Sequence, residues 1–309
     1  MPRIFMTGAS GFIGSTIAEL AITRGYQIYG LSRTEATDAK LTQLGVVPVR
    51  GDLHSLDVLR DQSAQADIVM HLADALAGNF GMDYEEVLRI DFAAVDAIGE
   101  GLQGSNKPLV VTSGSLVVAP DPTGAETDET SPLNENPLNG RIRAERHALE
   151  LAGKGVKVSV IRLAPFVYGR GGSGIRLFMG MFKNAGQAFY VDDGAVKTSA
   201  VHVDDAAQLY LLAAEQAKAG DVFNGVSSTT VTIRELSEAM GEILDLPVVS
   251  LPYDKTVGQM GEFLARFLSS ENRGSGGKAE RELGWKPAGM GILEDIKSGS
   301  YVAVAEGLK

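Results

Sequence analysis

Through the first half of the chain, short apolar runs alternate with stretches whose apolar positions recur every three to four residues. The runs at 3–6, 27–31, 46–49, 68–70, 109–111 and 156–161 predict strands, and 12–23, 56–62, 84–102 and 141–151 predict helices. Asp83 is placed to cap the third of these helices, with Glu86 as its capping-box partner. Such alternation predicts right-handed βαβ units wound into an α/β, Rossmann-type, doubly wound parallel sheet.

Beyond residue 161 the pattern loosens. A glycine-rich turn, YGRGGSG at 168–174, leads into an apolar helix, and 199–215 reads strand, turn, helix with Asp204 as the cap. The last third mixes short helices with the Gly/Ser stretch 269–277. This division predicts a nucleotide-binding domain over 1–163, completed by about 191–225, and a smaller substrate-binding lobe from 164–190 and 226–309. There is no internal repeat.

The segment FMTGASGFIGSTIAEL (5–20) joins the first strand to the first helix, with glycines at 8, 11 and 14. In that position Gly8 permits a tight turn, Gly11 admits a pyrophosphate to the backbone and Gly14 lets helix and strand pack closely, so the segment predicts dinucleotide binding. The second strand ends in Ser32 and Arg33, where an NAD site usually presents an acid to the ribose; Arg33 can pair with a 2′-phosphate and Ser32 can bond it, favouring NADP(H) over NAD(H). GDL at 51–53 offers Asp52 to the adenine, and HLAD at 71–74 runs along the cofactor edge.

At 309 residues and 44% apolar composition, the chain can supply a sizeable core. Its formal net charge of −11 argues against nucleic-acid or anionic-membrane surfaces. The absence of cysteine excludes disulfides and thiol chemistry, and four scattered histidines argue against a metal site. No apolar stretch approaches the ~18 residues of a membrane span, and no leader precedes the first strand; both point to a cytoplasmic protein.

Thr7-Gly-Ala-Ser-Gly-Phe-Ile-Gly14, Gly51-Asp-Leu53, His71-Leu-Ala73, Thr112-Ser113, Arg162 with Val167-Tyr-Gly169, His202-Val-Asp204 and Leu283-Gly-Trp-Lys-Pro287 occur in that order. Together they resemble the extended short-chain dehydrogenase/reductase family, which includes NAD(P)-dependent epimerases and dehydratases. The resemblance runs almost end to end. It implies a cofactor set of Gly8, Ser10, Gly11, Phe12, Ile13, Gly14, Ser32, Arg33, Asp52, Leu53, Leu72, Ala73, Pro165 and Val167.

It also implies a catalytic Ser or Thr, and a Tyr and Lys four residues apart on the 141–151 helix. One register puts Pro137 and Arg141 in the Tyr and Lys slots, and a two-residue shift puts Asn139 and Arg143 there. Neither register contains Tyr or Lys. Asn and Pro exchange no proton, and arginine, with a pKa above about 12, is no tunable base, although it can hold a ribose or phosphate. The orienting hydroxyl falls at Gly114, leaving Ser113 and Ser115 as its neighbours, either to polarise a substrate or to satisfy backbone groups in the turn. Tyr168 is the first surrogate proton donor, ahead of Asp74, His202 and Tyr190, with water as a further route.

These readings describe an NADP(H)-dependent oxidoreductase that interconverts a carbonyl and its alcohol with a non-standard proton donor. The alternatives are a catalytically inactive NADP(H)-binding regulator or scaffold, and a nucleotide-sugar epimerase or dehydratase. The implied partner is a small molecule, and relatives tend to dimerise through the helices at 84–102 and 141–151, which makes a homodimer one option.

Overall fold

The computed structural model describes residues 1–76 and 82–308. The first half runs β1 (Arg3–Thr7), α1 (Phe12–Thr23), β2 (Gln27–Ser32), α2 (Glu35–Gln43), β3 (Val47–Arg50), α3 (Leu56–Gln65), β4 (Ile68–His71), α4 (Tyr84–Leu102), β5 (Pro108–Gly114), α5 (Arg141–Leu149) and β6 (Lys157–Leu163). Then follow β7 (Phe166–Tyr168), α6 (Ser173–Ala185), β8 (Ala188–Val191), β9 (Lys197–His202), α7 (Val203–Gln216), β10 (Asp221–Gly225), β11 (Ser228–Thr232), α8 (Ile233–Leu244) and β12 (Val248–Leu251). The chain closes with α9 (Tyr253–Met260), α10 (Glu262–Ser269) and three short helices, Gly277–Leu283, Ile292–Ser298 and Val302–Leu308.

Seven strands form one parallel sheet in the order β3-β2-β1-β4-β5-β6-β10, a Rossmann-type α/β fold. Strand order reverses between β1 and β4, and the crevice at their carboxyl ends is where such a sheet binds ligands. The predicted completion of this domain by 191–225 divides in two: β10 joins the main sheet, whereas β9 pairs with β7 and β11 in a separate three-stranded sheet. A second apolar core forms around Phe178, Met179 and Phe182 of α6 and Leu236 and Met240 of α8, so the Met/Phe pattern of α6 is core.

Local details depart from expectation where tertiary contacts compete. α2 carries a single buried side chain, Leu41, and so lacks readable periodicity; Thr34 caps it by accepting the Thr37 N–H. Asp83 precedes α4 but makes no side-chain cap, and Glu86 accepts from Arg89 at 2.8 Å where a capping box would have it accept from the Asp83 backbone. The cap of α7 is His202, whose Nδ1 accepts the Asp204 N–H, while the Asp204 carboxylate pairs with Arg170 at 2.7 Å. Among the described residues, no helix is long and apolar enough to cross a membrane.

Candidate active site

The loop after β1 is shaped by close packing. Gly8 has φ +75°, and a Cβ there would sit 3.0 Å from the Ala73 nitrogen. At Gly14 a Cβ would lie 2.2 Å from the Gly8 carbonyl oxygen, so only glycine lets α1 rest on this turn. Gly11 caps α1 without a side chain and the first helical turn carries no acid, leaving its positive end directed at the crevice. Next door, Thr7 Oγ1 accepts the N–H groups of Leu72 and Ala73 at 3.1 Å each and lies 2.8 Å from His71 Nδ1.

A cavity of about 400 Å³ opens here, lined by Gly8, Ser10, Gly11, Arg33, Thr37, Asp52, Leu53, Leu72, Ala73 and Asp74 among others. It gathers most of the expected cofactor residues. Asp52 lines it while accepting from the His54 N–H at 2.9 Å and the Ser55 hydroxyl at 3.0 Å. Six expected positions are not in its lining: Gly14 packs against the Gly8 turn, Pro165 and Val167 line a second cavity, and Ser32, Phe12 and Ile13 lie elsewhere. Ser32 is buried, outside the cavity lining, with its hydroxyl donated to the Thr34 carbonyl at 3.2 Å. Phe12 packs over Gly172, and neither it nor Ile13 lines the cavity; Ile13 packs against the main apolar core. Lys40, an unexpected neighbour from α2, donates from Nζ to the Ser10 carbonyl at 2.5 Å.

A second cavity, about 340 Å³, lies at the carboxyl ends of β5 and β6. Its lining includes Ser113, Gly114, Ser115, Pro137, Asn139 and Arg141, together with Pro165 and Val167, two residues expected at the cofactor. The hydroxyl of Ser113 donates to Glu145 Oε2 at 2.7 Å, and that of Ser115 to Asn272 Oδ1 at 2.8 Å. Both serines therefore satisfy side chains and not turn backbone. Glu145 is itself buried and takes three contacts from Arg162 between 2.6 and 3.2 Å, a charge pair whose burial is compensated by this geometry.

Arg141 bonds Asp74, and this ion pair links the lining of one cavity to that of the other. Of the two candidate arginines on α5, Arg141 lines the second cavity, whereas Arg143 is exposed, paired with Glu85 and absent from the lining of both cavities. Around the pair sit Tyr84, whose phenol burial pushes up while Arg141 pulls it down, and Asp91. Burial, then the nearby Asp74 charge, raise the Asp91 carboxyl to about 6; the carboxylate also accepts the Ala75 N–H at 3.1 Å. Sequence spacing singled out Arg141 and Asp74 separately, but gave no signal for Tyr84, Asp91 or the pairing itself.

Tyr168 is not brought to either cavity. Its hydroxyl donates to the Met290 carbonyl at 2.7 Å, outside the lining of both cavities, and burial pushes its pKa up. His202 is likewise occupied as the α7 cap, and Tyr190 lies beneath Arg234.

A family model described as the NAD dependent epimerase/dehydratase family matches residues 4–225. The chain belongs to this family. Within it or alongside it, an uncharacterized protein of Schizosaccharomyces pombe is 35% identical over 300 residues, 97% of this chain and 99% of that protein. A 4-hydroxy-2-methyl-3-oxo-4-farnesyl-3,4-dihydroquinoline-1-oxide ketoreductase of Stigmatella aurantiaca is 25% identical, covering 88% of this chain and 83% of its own. The crystal structure of a UDP-glucose 4-epimerase of Thermotoga maritima superposes with a TM-score of 0.78 at 20% identity, covering 99% of this chain and 100% of that one; it shares the epimerase/dehydratase fold.

Proposed function

We propose that this protein is an NADP(H)-dependent oxidoreductase that reduces a ketone or aldehyde, or oxidises the matching alcohol. The observation that carries the reading is the pair of cavities linked through Arg141–Asp74 at the carboxyl ends of the sheet: one is lined by the glycine turn, the other by serine hydroxyls. The residues fit a dinucleotide, because the Gly8–Gly14 contact and the uncapped end of α1 leave a backbone cradle suited to phosphates. Arg33, exposed at the rim with Lys40 on the neighbouring helix, supports the 2′-phosphate form. When bound, the dinucleotide supplies hydride chemistry.

The protein's own groups then orient. Ser113 and Ser115 give their protons to Glu145 and Asn272, so each offers a substrate an acceptor lone pair, suited to an alcohol O–H. Ser113 can turn to donate to a carbonyl because Glu145 keeps its Arg162 bonds. Arg141, anchored by Asp74, stands where the family resemblance places a lysine and holds position, not a proton. The proton source in this reading is water. The ketoreductase likeness supports the carbonyl direction.

The test is NADPH consumption by purified protein across ketones, aldehydes and quinones, after fluorescence titration of NADPH and NADH. The expected result is tighter NADPH binding with turnover of at least one carbonyl class. Tight binding without turnover anywhere replaces this reading with that of a cofactor-binding regulator.

A further inference from the structure

Resting on the oxidoreductase reading, we infer that the second cavity takes an uncharged, apolar carbonyl compound and not a nucleotide sugar, with Phe263 as its solvent-side wall. The walls are hydrocarbon: Leu163 of β6, Ala164 of the link that follows, Val167 of β7, Leu138 from the approach to α5, and Phe263 and Phe267 from α10. Each polar side chain among the described lining residues already has a partner inside the protein. Ser113 is held by Glu145, Ser115 by Asn272, Arg141 by Asp74, and the Asn139 side-chain oxygen accepts the Arg141 N–H at 3.1 Å. The nearest cation on α10, Arg266, donates to the Asn136 carbonyl at 2.7 Å and to that of Pro137. A diphosphate entering this space would lose its hydration and meet a single cation in the described lining, Arg141, whose charge Asp74 already balances, whereas an apolar ketone gains from the same walls.

The two phenylalanines differ in a way that suits them to different tasks. Phe267 is packed, with ring centroids 5.6 Å from Phe166 and 6.5 Å from Phe178. Phe263, one turn earlier, is 55% exposed although it lines the cavity. An exposed aromatic ring at a cavity mouth leaves apolar surface for an occupant to cover. The Arg266 bonds fasten α10 to residues 136–137, next to the empty tyrosine slot, so the ring is held at the mouth by a fixed element and not by a free loop.

The probes are 2-acetylnaphthalene and UDP-glucose, titrated calorimetrically into the protein with and without saturating NADP⁺. The expected result is saturable binding of the ketone and none of UDP-glucose. Phe263→Ala should weaken the ketone by about 5- to 10-fold with NADP⁺ affinity unchanged, and Phe263→Leu should restore most of it. Binding of UDP-glucose as tight as the ketone, failure of the ketone to bind either form, or full ketone affinity in Phe263→Ala would each overturn the inference. A ketone that binds without any NADPH consumption sinks the oxidoreductase reading and leaves the cavity assignment standing. NADPH consumption confined to 4-keto nucleotide sugars, or NADP⁺ reduction confined to UDP-glucose, does the reverse.

Discussion

Arg33 stands exposed at the end of β2, on the rim of the dinucleotide cavity. Charge-assisted bonding to a phosphate makes its removal costly only for the phosphorylated cofactor. Arg33→Ala should raise the NADPH Kd about tenfold or more and leave NADH within about twofold, read by fluorescence titration. Two titrating groups, the buried His71 and the half-buried Asp91, have opposed effects on stability. Burial lowers His71 to about 4, below its unfolded value of about 6.5, so the unfolded chain binds more protons across that window and this contribution grows as pH rises. Asp91 is raised to about 6 from an unfolded value near 4, so the native state binds more protons between those values and this contribution shrinks as pH rises. Each is on the order of 2–3 kcal/mol at full extent, and they largely cancel between about pH 4 and 6. Asp91→Asn should therefore be more stable than wild type at pH 7 and lose stability more steeply on acidification, measured as Tm against pH.

At the scale of elements, the contact between α1 and the glycine turn leaves no room for a methyl group. Gly14→Ala should lower stability by about 3 kcal/mol or abolish folding, with loss of dinucleotide binding in any soluble fraction. Glu145→Gln would leave Arg162 buried beside a neutral partner, and a cost of about 3–5 kcal/mol in chemical denaturation is expected. Most strands, most of the helices of the first half and the glycine turn were legible from periodicity and spacing, because their buried faces repeat along the chain. α2 was not, since one buried leucine makes no pattern. Nor were the bonds that decide the roles of candidate residues. Arg141 meets Asp74 across 67 positions and Ser115 meets Asn272 across 157, and nothing in local spacing links either pair. Tyr168 illustrates the same limit: it stood first among the surrogate proton donors, but its hydroxyl is bonded to the Met290 carbonyl, 122 positions along the chain.

Across the whole molecule, the C-terminal segment belongs partly to the first core. Trp285, the sole tryptophan, is buried among residues of the main sheet and α7, and its indole N–H donates to the Asp205 carbonyl at 2.9 Å. The two lobes should therefore unfold together, with Trp285 fluorescence and far-ultraviolet circular dichroism giving coincident transitions; separated midpoints would show independent lobes. The position of β10 has a further consequence for biosynthesis. It pairs with β6, yet β7, α6, β8, β9 and α7 all lie between them in the chain. During translation the outer edge of β6 waits, its backbone groups unmatched, until residue 221 has left the ribosome. A nascent chain stalled in that interval presents an open template for pairing with another copy, so the stretch between β6 and β10 is where co-translational aggregation has its opening.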